Sequence, residues 1–216
     1  MPVRPEQAAS ARPLLVFPCN GNALEALGCL GEAWTLQAFI DDTPAKQAAG
    51  CAWHPVHGRE ALDRWPQAQV LAVPGSPDSY RSRRALIESL GVPEGRWATV
   101  VHPSASVSPL ARIGRNVLLM AGVVVTANAV IGDHVCVLPH AVIHHDAVVG
   151  DWTLVGSGVT LAGHVQVGEN CYLGSGTGVL QGVRIGEGAL TGLGSAVIRH
   201  VPAGARVAGV PTRVLS

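Results

Sequence analysis

The chain has 216 residues, of which 48% are hydrophobic and 14% are charged, and its formal net charge is zero. This composition excludes an intrinsically disordered chain, and the length suits one large domain or two small ones. The basic residues form no cluster of the kind that binds nucleic acids or anionic membranes. We therefore expect the partner to be a small molecule or another copy of the chain.

The sequence predicts neither export nor membrane insertion. The first fourteen residues lack the apolar core of a signal peptide, and no apolar run of about 18 residues could span a bilayer. Five cysteines without C-x-x-C spacing argue against a disulfide framework or a structural zinc site. They are Cys19, Cys29, Cys51, Cys136 and Cys171. We expect a cytoplasmic protein in a reducing compartment.

Residues 13–100 alternate short apolar segments with segments of helical character. Strands are predicted at 14–17, 35–42 and 70–75, and helices at 23–33 and 76–92. Strands that alternate with helices are typical of a parallel α/β domain. The first half of the chain is therefore predicted to form a small Rossmann-like domain.

In such domains, ligands bind in a crevice at the carboxyl ends of the strands. Three groups of residues are expected there: Asn20, Gly21 and Asn22; Asp41 and Asp42; and Gly75 with the serine that follows it. The first loop reads P-C-N-G-N-A and lacks G-x-G-x-x-G, so a dinucleotide site is poorly supported. An acidic pair about 20 residues after a glycine turn is still able to bind a ribose or a base.

From Val101 onward the sequence repeats with a period of six. Seventeen hexapeptides cover residues 101–202 without an insertion, and sixteen begin with Val, Ile or Leu, Thr191 being the exception. Their fifth positions are all Ala, Val, Thr, Cys or Ser. A large first residue and a small fifth residue in every repeat predict two columns of inward-facing side chains.

These columns predict a parallel β-helix over residues 101–216. Each hexapeptide would form one short strand and a turn, and three consecutive hexapeptides would form one coil. Coils would stack at the interstrand spacing of about 4.8 Å. Because solenoids need covered ends, we expect the α/β domain to cover the first coil and residues 201–216 to cover the last.

The segment A-V-I-H-H-D places His145 and Asp146 in a turn of this β-helix. Gly163 takes the same repeat position three hexapeptides after His145, so the two are predicted to stack on one edge, one coil apart. A histidine beside a glycine N–H can serve acyl transfer, with the imidazole as base and the N–H binding the oxyanion. Asp146 could orient the imidazole. The alternative is that all three are ordinary exposed turn residues.

The hexapeptide repeat resembles that of the left-handed β-helix superfamily. Most known members of that superfamily are acyltransferases that use acetyl-CoA or an acyl carrier protein and work as trimers. The left-handed sense is implied by this resemblance alone, because the general rule for parallel crossovers favours the right-handed sense.

Within that superfamily, residues 144–174 and the segment AGVPTRVL (208–215) resemble the bacterial sugar O- and N-acetyltransferases of the NeuD/PglD type. The resemblance implies that His145 is the base, that Asp146 is its partner and that Gly163 contacts the acetyl carbonyl. It also implies that the crevice of the α/β domain binds the nucleotide of the acceptor. Acetyl-CoA would lie along the later coils, at Ser175, Gly192 and Leu193.

The chain departs from the family pattern at two positions near the expected base. Leu138 stands where the family commonly has Asn, and Leu154 stands where a second His is common. Both changes would remove polar contacts near the acceptor or the acetyl group. We expect either an unusual acceptor or one that is oriented by His140 and His144 instead.

Three hypotheses follow for the function. The leading one is a homotrimeric acetyl-CoA-dependent N-acetyltransferase that acts on a nucleotide-linked amino sugar of the 4-amino-4,6-dideoxy type in surface glycan synthesis, without a metal. The second is O-acetylation of a sugar such as sialic acid. The third is a metal-binding trimer that resembles γ-class carbonic anhydrases, which bind zinc through histidines across a trimer interface.

Overall fold

The fold is taken from a computed structural model that describes residues 11–215. Residues 1–10, on which most of the signal-peptide expectation depends, lie outside the described residues, and so does Ser216 of the predicted C-terminal cap. Within the described range, no helix has both the length and the hydropathy that are needed to cross a bilayer.

The first half of the chain forms a four-stranded parallel sheet in the order β3-β2-β1-β4. Its strands are β1 (Arg12–Phe17), β2 (Trp34–Ile40), β3 (Val56–His57) and β4 (Gln69–Ala72), and its helices are α1 (Gly21–Ala26), α2 (Pro44–Ala49), α3 (Ala61–Arg64) and α4 (Arg83–Glu88). Both faces of β1 are buried: Leu14 and Val16 on one, Leu15 and Phe17 on the other. A run of apolar residues is expected when a parallel sheet is covered on both faces.

The helices are shorter than the sequence predicts. The segment 23–33 forms α1 and a 3₁₀ turn at Leu27–Cys29, and the segment 76–92 forms a 3₁₀ turn at Tyr80–Ser82 followed by α4. A further 3₁₀ turn spans Glu94–Arg96, and α2, α3 and β3 are elements that the sequence pattern did not predict. The three predicted strands are confirmed, with bounds that differ by one to three residues at their ends.

The second half forms a parallel β-helix of three sheets, which we call the prism. The sheets have the orders β19-β16-β13-β10-β7, β21-β18-β15-β12-β9-β6 and β23-β22-β20-β17-β14-β11-β8-β5. The strands are β5 (Val100–Val101), β6 (Ser106–Val107), β7 (Arg112–Ile113), β8 (Leu118–Leu119), β9 (Val124–Val125), β10 (Val130–Ile131), β11 (Cys136–Val137), β12 (Val142–Ile143), β13 (Val148–Val149), β14 (Leu154–Val155), β15 (Thr160–Leu161), β16 (Gln166–Val167), β17 (Tyr172–Leu173), β18 (Gly178–Val179), β19 (Arg184–Ile185), β20 (Leu190–Thr191), β21 (Ala196–Val197), β22 (Arg206–Ala208) and β23 (Arg213–Val214).

The predicted register of the prism is confirmed. Each residue of β12 pairs with the residue three hexapeptides later in β15, as Val142 does with Thr160, and the other coils follow the same rule. From Val117 onward, first-position and fifth-position side chains are buried and fill one continuous core. The sixth position of each repeat points away from this core.

The α/β domain packs against the side of the prism, which corrects the expectation that it covers the first coil. Val101 in that coil is 40% exposed. Most of the prism side chains that join the core of the α/β domain are sixth-position residues of a single face: Val100, Leu118, Cys136, Leu154, Tyr172 and Leu190. Because these positions recur once in every coil, they form one apolar stripe along the prism. The last coil is covered by β22, whose Val207 is buried, with β23 antiparallel to it.

A buried polar joint also links the two halves. Asn116 of the prism exchanges hydrogen bonds with the backbone of Ala72, and its amide lies 2.9 Å from Nδ1 of His134. The His134 ring stacks on Trp152, and the buried Arg83 donates to the carbonyl oxygens of Pro74 and His134. Burial, followed by the positive charge of Arg83, lowers the pKa of His134 to about 4. The joint therefore holds a neutral histidine.

The sulfur atoms of Cys19, in the loop after β1, and Cys51, in the loop after α2, lie in contact. Cys29, Cys136 and Cys171 are free and buried. The two loops are brought together by Lys46 of α2, whose ammonium donates both to the carbonyl oxygen of Cys19 and to Asp41.

Candidate active site

The candidate site begins with a backbone requirement of the prism. From position 116 to position 194, the fourth residue of every hexapeptide has a positive φ, and these residues are Gly, Asn, His, Asp or Trp. Asn, Asp and His adopt this left-handed conformation more readily than most residues with a side chain. Asp146 and His164 are both fourth-position residues, so this backbone requirement limits their residue types without selecting Asp or His in particular. His145 is a third-position residue and has no such explanation.

His145 and Asp146 form a hydrogen-bonded pair on the edge between β12 and β13. Nδ1 of His145 lies 2.8 Å from Oδ2 of Asp146, and the amide of Asn128 donates to Oδ1 at 3.1 Å. These two hydrogen bonds, with that from His145 the stronger influence, lower the pKa of Asp146. A carboxylate paired with Nδ1 favours the tautomer with its proton on Nδ1, which leaves the lone pair on Nε2.

Gly163 lies directly against the imidazole of His145, one coil later. A Cβ atom at position 163 would come within 2.7 Å of both Cε1 and Nε2 of the ring. Within residues 11–215, no hydrogen-bond acceptor is paired with the N–H of Gly163. The structure thus brings the predicted base, its carboxylate and the predicted oxyanion donor together on a partly open edge, where the side chain of His145 is 52% exposed.

His164 is a further member of this group, and it is not among the site residues predicted from the sequence. Its ring packs edge-on against that of His145, with centroids 5.2 Å apart, and its Nε2 is 3.9 Å from Oδ2 of Asp146. That distance is too long for a hydrogen bond. The register of the repeats was a sufficient signal, because position 164 follows position 146 by one coil.

The acidic pair of the crevice divides into a buried and an exposed member. Asp41 is 4% exposed, and its carboxylate accepts from the N–H groups of Cys19 and Thr43 and from Lys46. Burial acts to raise its pKa, but the hydrogen bonds from Lys46 and Thr43 and the charge of Lys46 outweigh it, so the pKa of Asp41 is lowered. Asp42 is exposed and forms an ion pair with Arg59. Asp41 therefore holds the loop after β1 in place, while Asp42 faces solvent.

The remaining predicted crevice residues lie at the ends of β1 and β4. The amides of Asn20 and Asn22 both donate to the carbonyl oxygen of Val73, and Asn20 also caps α1. Gly21 is the first residue of α1 and is exposed. Gly75 has a φ of 126°, and a Cβ there would lie 2.6 Å from a methyl group of Leu154. Only glycine allows the loop after β4 to approach the prism this closely.

A cavity of about 220 Å³ lies where that loop meets the prism. It is lined by Asn22, Gly75, Ser76, Pro77, Leu138, Leu154, Val155, Gly156 and Tyr172. The two leucines that depart from the family pattern are therefore both in its wall. They make the prism side of this cavity apolar.

The predicted cofactor residues lie on a different edge from His145. Ser175, Gly192 and Leu193 are in turns that follow β17 and β20, on the same edge as Leu138 and His140. His140 stacks over Gly122 on that edge, whereas His144 begins the turn that contains His145. β12 separates His140 from His145, so the two residues lie in consecutive turns on different edges of the prism. Of the two histidines that were expected to orient the acceptor, only His144 lies beside the His145–Asp146 pair.

The family profile "Bacterial transferase hexapeptide (six repeats)" matches residues 110–145 and 128–163. The solved structure of PerB from Caulobacter crescentus, in complex with CoA and GDP-perosamine, is 30% identical, with a TM-score of 0.82. The alignment covers 96% of this chain and 99% of that one. This chain belongs to the hexapeptide-repeat transferase family. It is therefore an acyltransferase.

Two further solved structures match over nearly the whole chain. The acetyltransferase domain of PglB from Neisseria gonorrhoeae FA1090, in complex with acetyl coenzyme A, is 29% identical with a TM-score of 0.83, and the match covers 95% of this chain and 100% of that one. WeeI from Acinetobacter baumannii AYE, at 23% identity and a TM-score of 0.80 over 95% of this chain and 100% of that one, supports the fold alone. A comparison with curated protein sequences finds no match.

Proposed function

We propose that this acyltransferase transfers the acetyl group of acetyl-CoA to the amine of a nucleotide-linked 4-amino-4,6-dideoxy sugar. The observation that carries the proposal is the His145–Asp146 pair packed against Gly163 on the prism edge. Support for the substrates comes from the relatives, since PglB was solved with acetyl coenzyme A and PerB with CoA and GDP-perosamine.

His145 acts as the general base in this proposal. Its Nε2 accepts a proton from the acceptor amine as the nitrogen attacks the thioester carbonyl carbon, and the negative charge moves to the carbonyl oxygen. The N–H of Gly163 stabilises that oxyanion. When the tetrahedral intermediate collapses, the C–S bond breaks and the CoA thiolate takes up a proton from the imidazolium. Asp146 stabilises the imidazolium between these steps.

The nucleotide of the acceptor binds, in this proposal, at the carboxyl ends of β1, β2 and β4. One wall of the nucleotide site is formed by Asn20, Gly21 and Asn22, and the other walls by Asp42 and Gly75. Asp41 holds the loop after β1 in place by accepting a hydrogen bond from the N–H of Cys19. The sugar then extends toward the prism through the cavity beside Leu138 and Leu154. Its apolar wall suits a deoxy sugar better than a fully hydroxylated one, because a buried hydroxyl without a partner is costly.

The active enzyme is proposed to be a homotrimer. The cavity and the cofactor residues lie on one edge of the prism and His145 on the next, so one chain spreads its site over two edges. A neighbouring chain would bring its His145 edge to the Ser175, Gly192 and Leu193 edge of the first. Light scattering on a sizing column should then give three chains of 22.3 kDa each. The left-handed sense of the prism, the Rossmann-like character of the α/β domain and a cytoplasmic location remain predictions.

The experiment that tests the proposed function is a panel of acceptors incubated with acetyl-CoA, with CoA release measured by a thiol reagent. The panel contains UDP- and GDP-linked 4-amino-4,6-dideoxy sugars, their 4-hydroxy counterparts, CMP-sialic acid and free sialic acid. The proposal expects CoA release only with the amino sugars and an N-acetyl product by mass spectrometry. Acetylation of a hydroxyl with no amine product would contradict it and favour the O-acetyltransferase hypothesis.

A further inference from the structure

The donor atoms of His145, Asp146 and His164 converge on one point of the prism edge. One ligand atom from each residue lies within 4.8 Å of the other two. All three side chains are open to solvent, with exposed fractions of 52%, 36% and 57%. The general-base role uses only the first two, which leaves the presence of His164 in the cluster unexplained.

The chemistry of this cluster is that of a transition-metal site. Two imidazoles and one carboxylate bind Zn²⁺ with bonds of about 2.0–2.2 Å, and a water molecule completes a tetrahedron. Tetrahedral geometry requires donor atoms about 3.3 Å apart, so the side chains have to close by at most about 1.5 Å. Partly exposed side chains on neighbouring turns achieve this by small rotations about their χ angles.

Asn128 prepares the carboxylate for this role. Its amide donates to Oδ1 of Asp146, so Oδ2 is turned toward the two imidazoles. Such outer-sphere hydrogen bonds orient metal ligands and contribute to affinity. The four residues thus form a ladder on one edge, with Asn128, Asp146 and His164 in successive coils and His145 beside them.

We propose that His145, Asp146 and His164 form a binding site for Zn²⁺ or a similar divalent transition metal ion, and that the bound ion inhibits acetyl transfer. The inhibitory part rests on the proposed function. An imidazole lone pair that is donated to a metal ion is not able to accept the proton of an amine. The site is therefore regulatory, and the ion and the acceptor compete for His145.

Isothermal titration calorimetry with ZnCl₂ and the metal-free full-length protein tests the site itself. The proposal expects one Zn²⁺ per chain in the wild type. His164→Asn should weaken binding by at least about 10-fold, since the loss of even outer-sphere partners costs about 10 to 100-fold. Asn suits the left-handed backbone at this position, as Asn128 and Asn170 show. The absence of Zn²⁺ binding by the wild type, or equal binding by His164→Asn, would overturn the proposal.

His200→Asn is the matched control. His200 also takes the fourth position of its hexapeptide, two coils after His164, and it is exposed. It has no place in the cluster, so its replacement should leave Zn²⁺ affinity unchanged. A loss of binding equal to that of His164→Asn would show that surface histidines in general bind the ion and would contradict the site.

A transfer assay separates the two proposals. With acetyl-CoA and the acceptor identified in the panel, Zn²⁺ should inhibit the wild type and chelation with EDTA should restore it. Measured against its own rate without Zn²⁺, His164→Asn should need at least about 10-fold more Zn²⁺ than the wild type for half inhibition. If no acceptor is acetylated, the proposed function fails while calorimetry still decides the metal site. If Zn²⁺ binds at the cluster but does not inhibit, the regulatory part is wrong.

Discussion

The imidazole of His145 rests on the Cα of Gly163, close enough that any side chain at position 163 would collide with it. This contact joins two turns one coil apart. It places a backbone N–H that has no acceptor among residues 11–215 beside a histidine whose side chain is 52% exposed. The absence of a side chain at position 163 is therefore a requirement of the ring, since the backbone there does not adopt a positive φ.

Gly163→Ala should lower acetyl transfer sharply and leave the fold almost intact. The new Cβ would lie 2.7 Å from ring atoms of His145 and would push the base away from the oxyanion donor. Because the imidazole is partly exposed, it is able to move aside at little cost in stability. We expect kcat/KM to fall by at least about 100-fold, since displacements near 1 Å can cost that much, with Tm nearly unchanged.

Gly178→Ala is the control for this substitution. Gly178 is an exposed residue of β18, and a Cβ there would meet no atom within 4 Å. It should retain both activity and Tm. A Gly163→Ala variant that remains as active as Gly178→Ala would show that the contact with His145 is not needed.

The interdomain joint should make the protein sensitive to acid. The pKa of His134 is lowered from 6.5 to about 4, so the unfolded chain binds a proton in this interval that the folded chain does not. The stability contributed by the neutral ring is complete above pH 6.5 and is lost as the pH falls toward 4. Between pH 7.5 and pH 5, the free energy of unfolding in urea should fall by about 2 kcal/mol from this residue.

His134→Asn should flatten this pH dependence, and His164→Asn should not. Both residues occupy fourth positions with a positive φ, but His134 is buried and His164 is exposed. Urea titrations at the two pH values measure the difference. Equal pH dependence in the wild type and in His134→Asn would mean that the buried ring does not titrate as the structure indicates.

The apolar stripe on one face of the prism should account for much of the attachment of the α/β domain. Leu118 is fully buried in the apolar core that the α/β domain shares with the prism. Val148 occupies the same repeat position on another face and is 37% exposed. Leu118→Ala should reduce the free energy of unfolding by about 2–5 kcal/mol. Val148→Ala should change it by less than about 1 kcal/mol. Similar losses of unfolding free energy in the two variants would contradict packing of the α/β domain against this side of the prism.

The prism was predictable to the residue, because its register has no insertion and each coil adds the same three hexapeptides. That regularity also located His145, Asp146 and Gly163 on one edge, and the hydrogen bond and ring contact confirm their proximity. His164 was within reach of the same arithmetic. It was missed because only the third position, which holds His145 and Gly163, was compared between coils.

The α/β domain was less predictable, because its helices have six residues or fewer and leave little periodic signal. The packing of the α/β domain against the side of the prism was also predictable, since Leu118, Cys136 and Leu154 recur once per coil. A search limited to the inward columns does not detect an outward stripe. The joint of Asn116 and His134 has no sequence signature, because it depends on how the two halves dock.

The most direct test of the account is the rate of acetyl transfer by His145→Ala under saturating acetyl-CoA and acceptor. Loss of a general base should lower kcat by about 100 to 10,000-fold, with CoA binding and Tm close to those of the wild type. A variant whose kcat stays within about threefold of the wild type would contradict the assignment of His145 as the base.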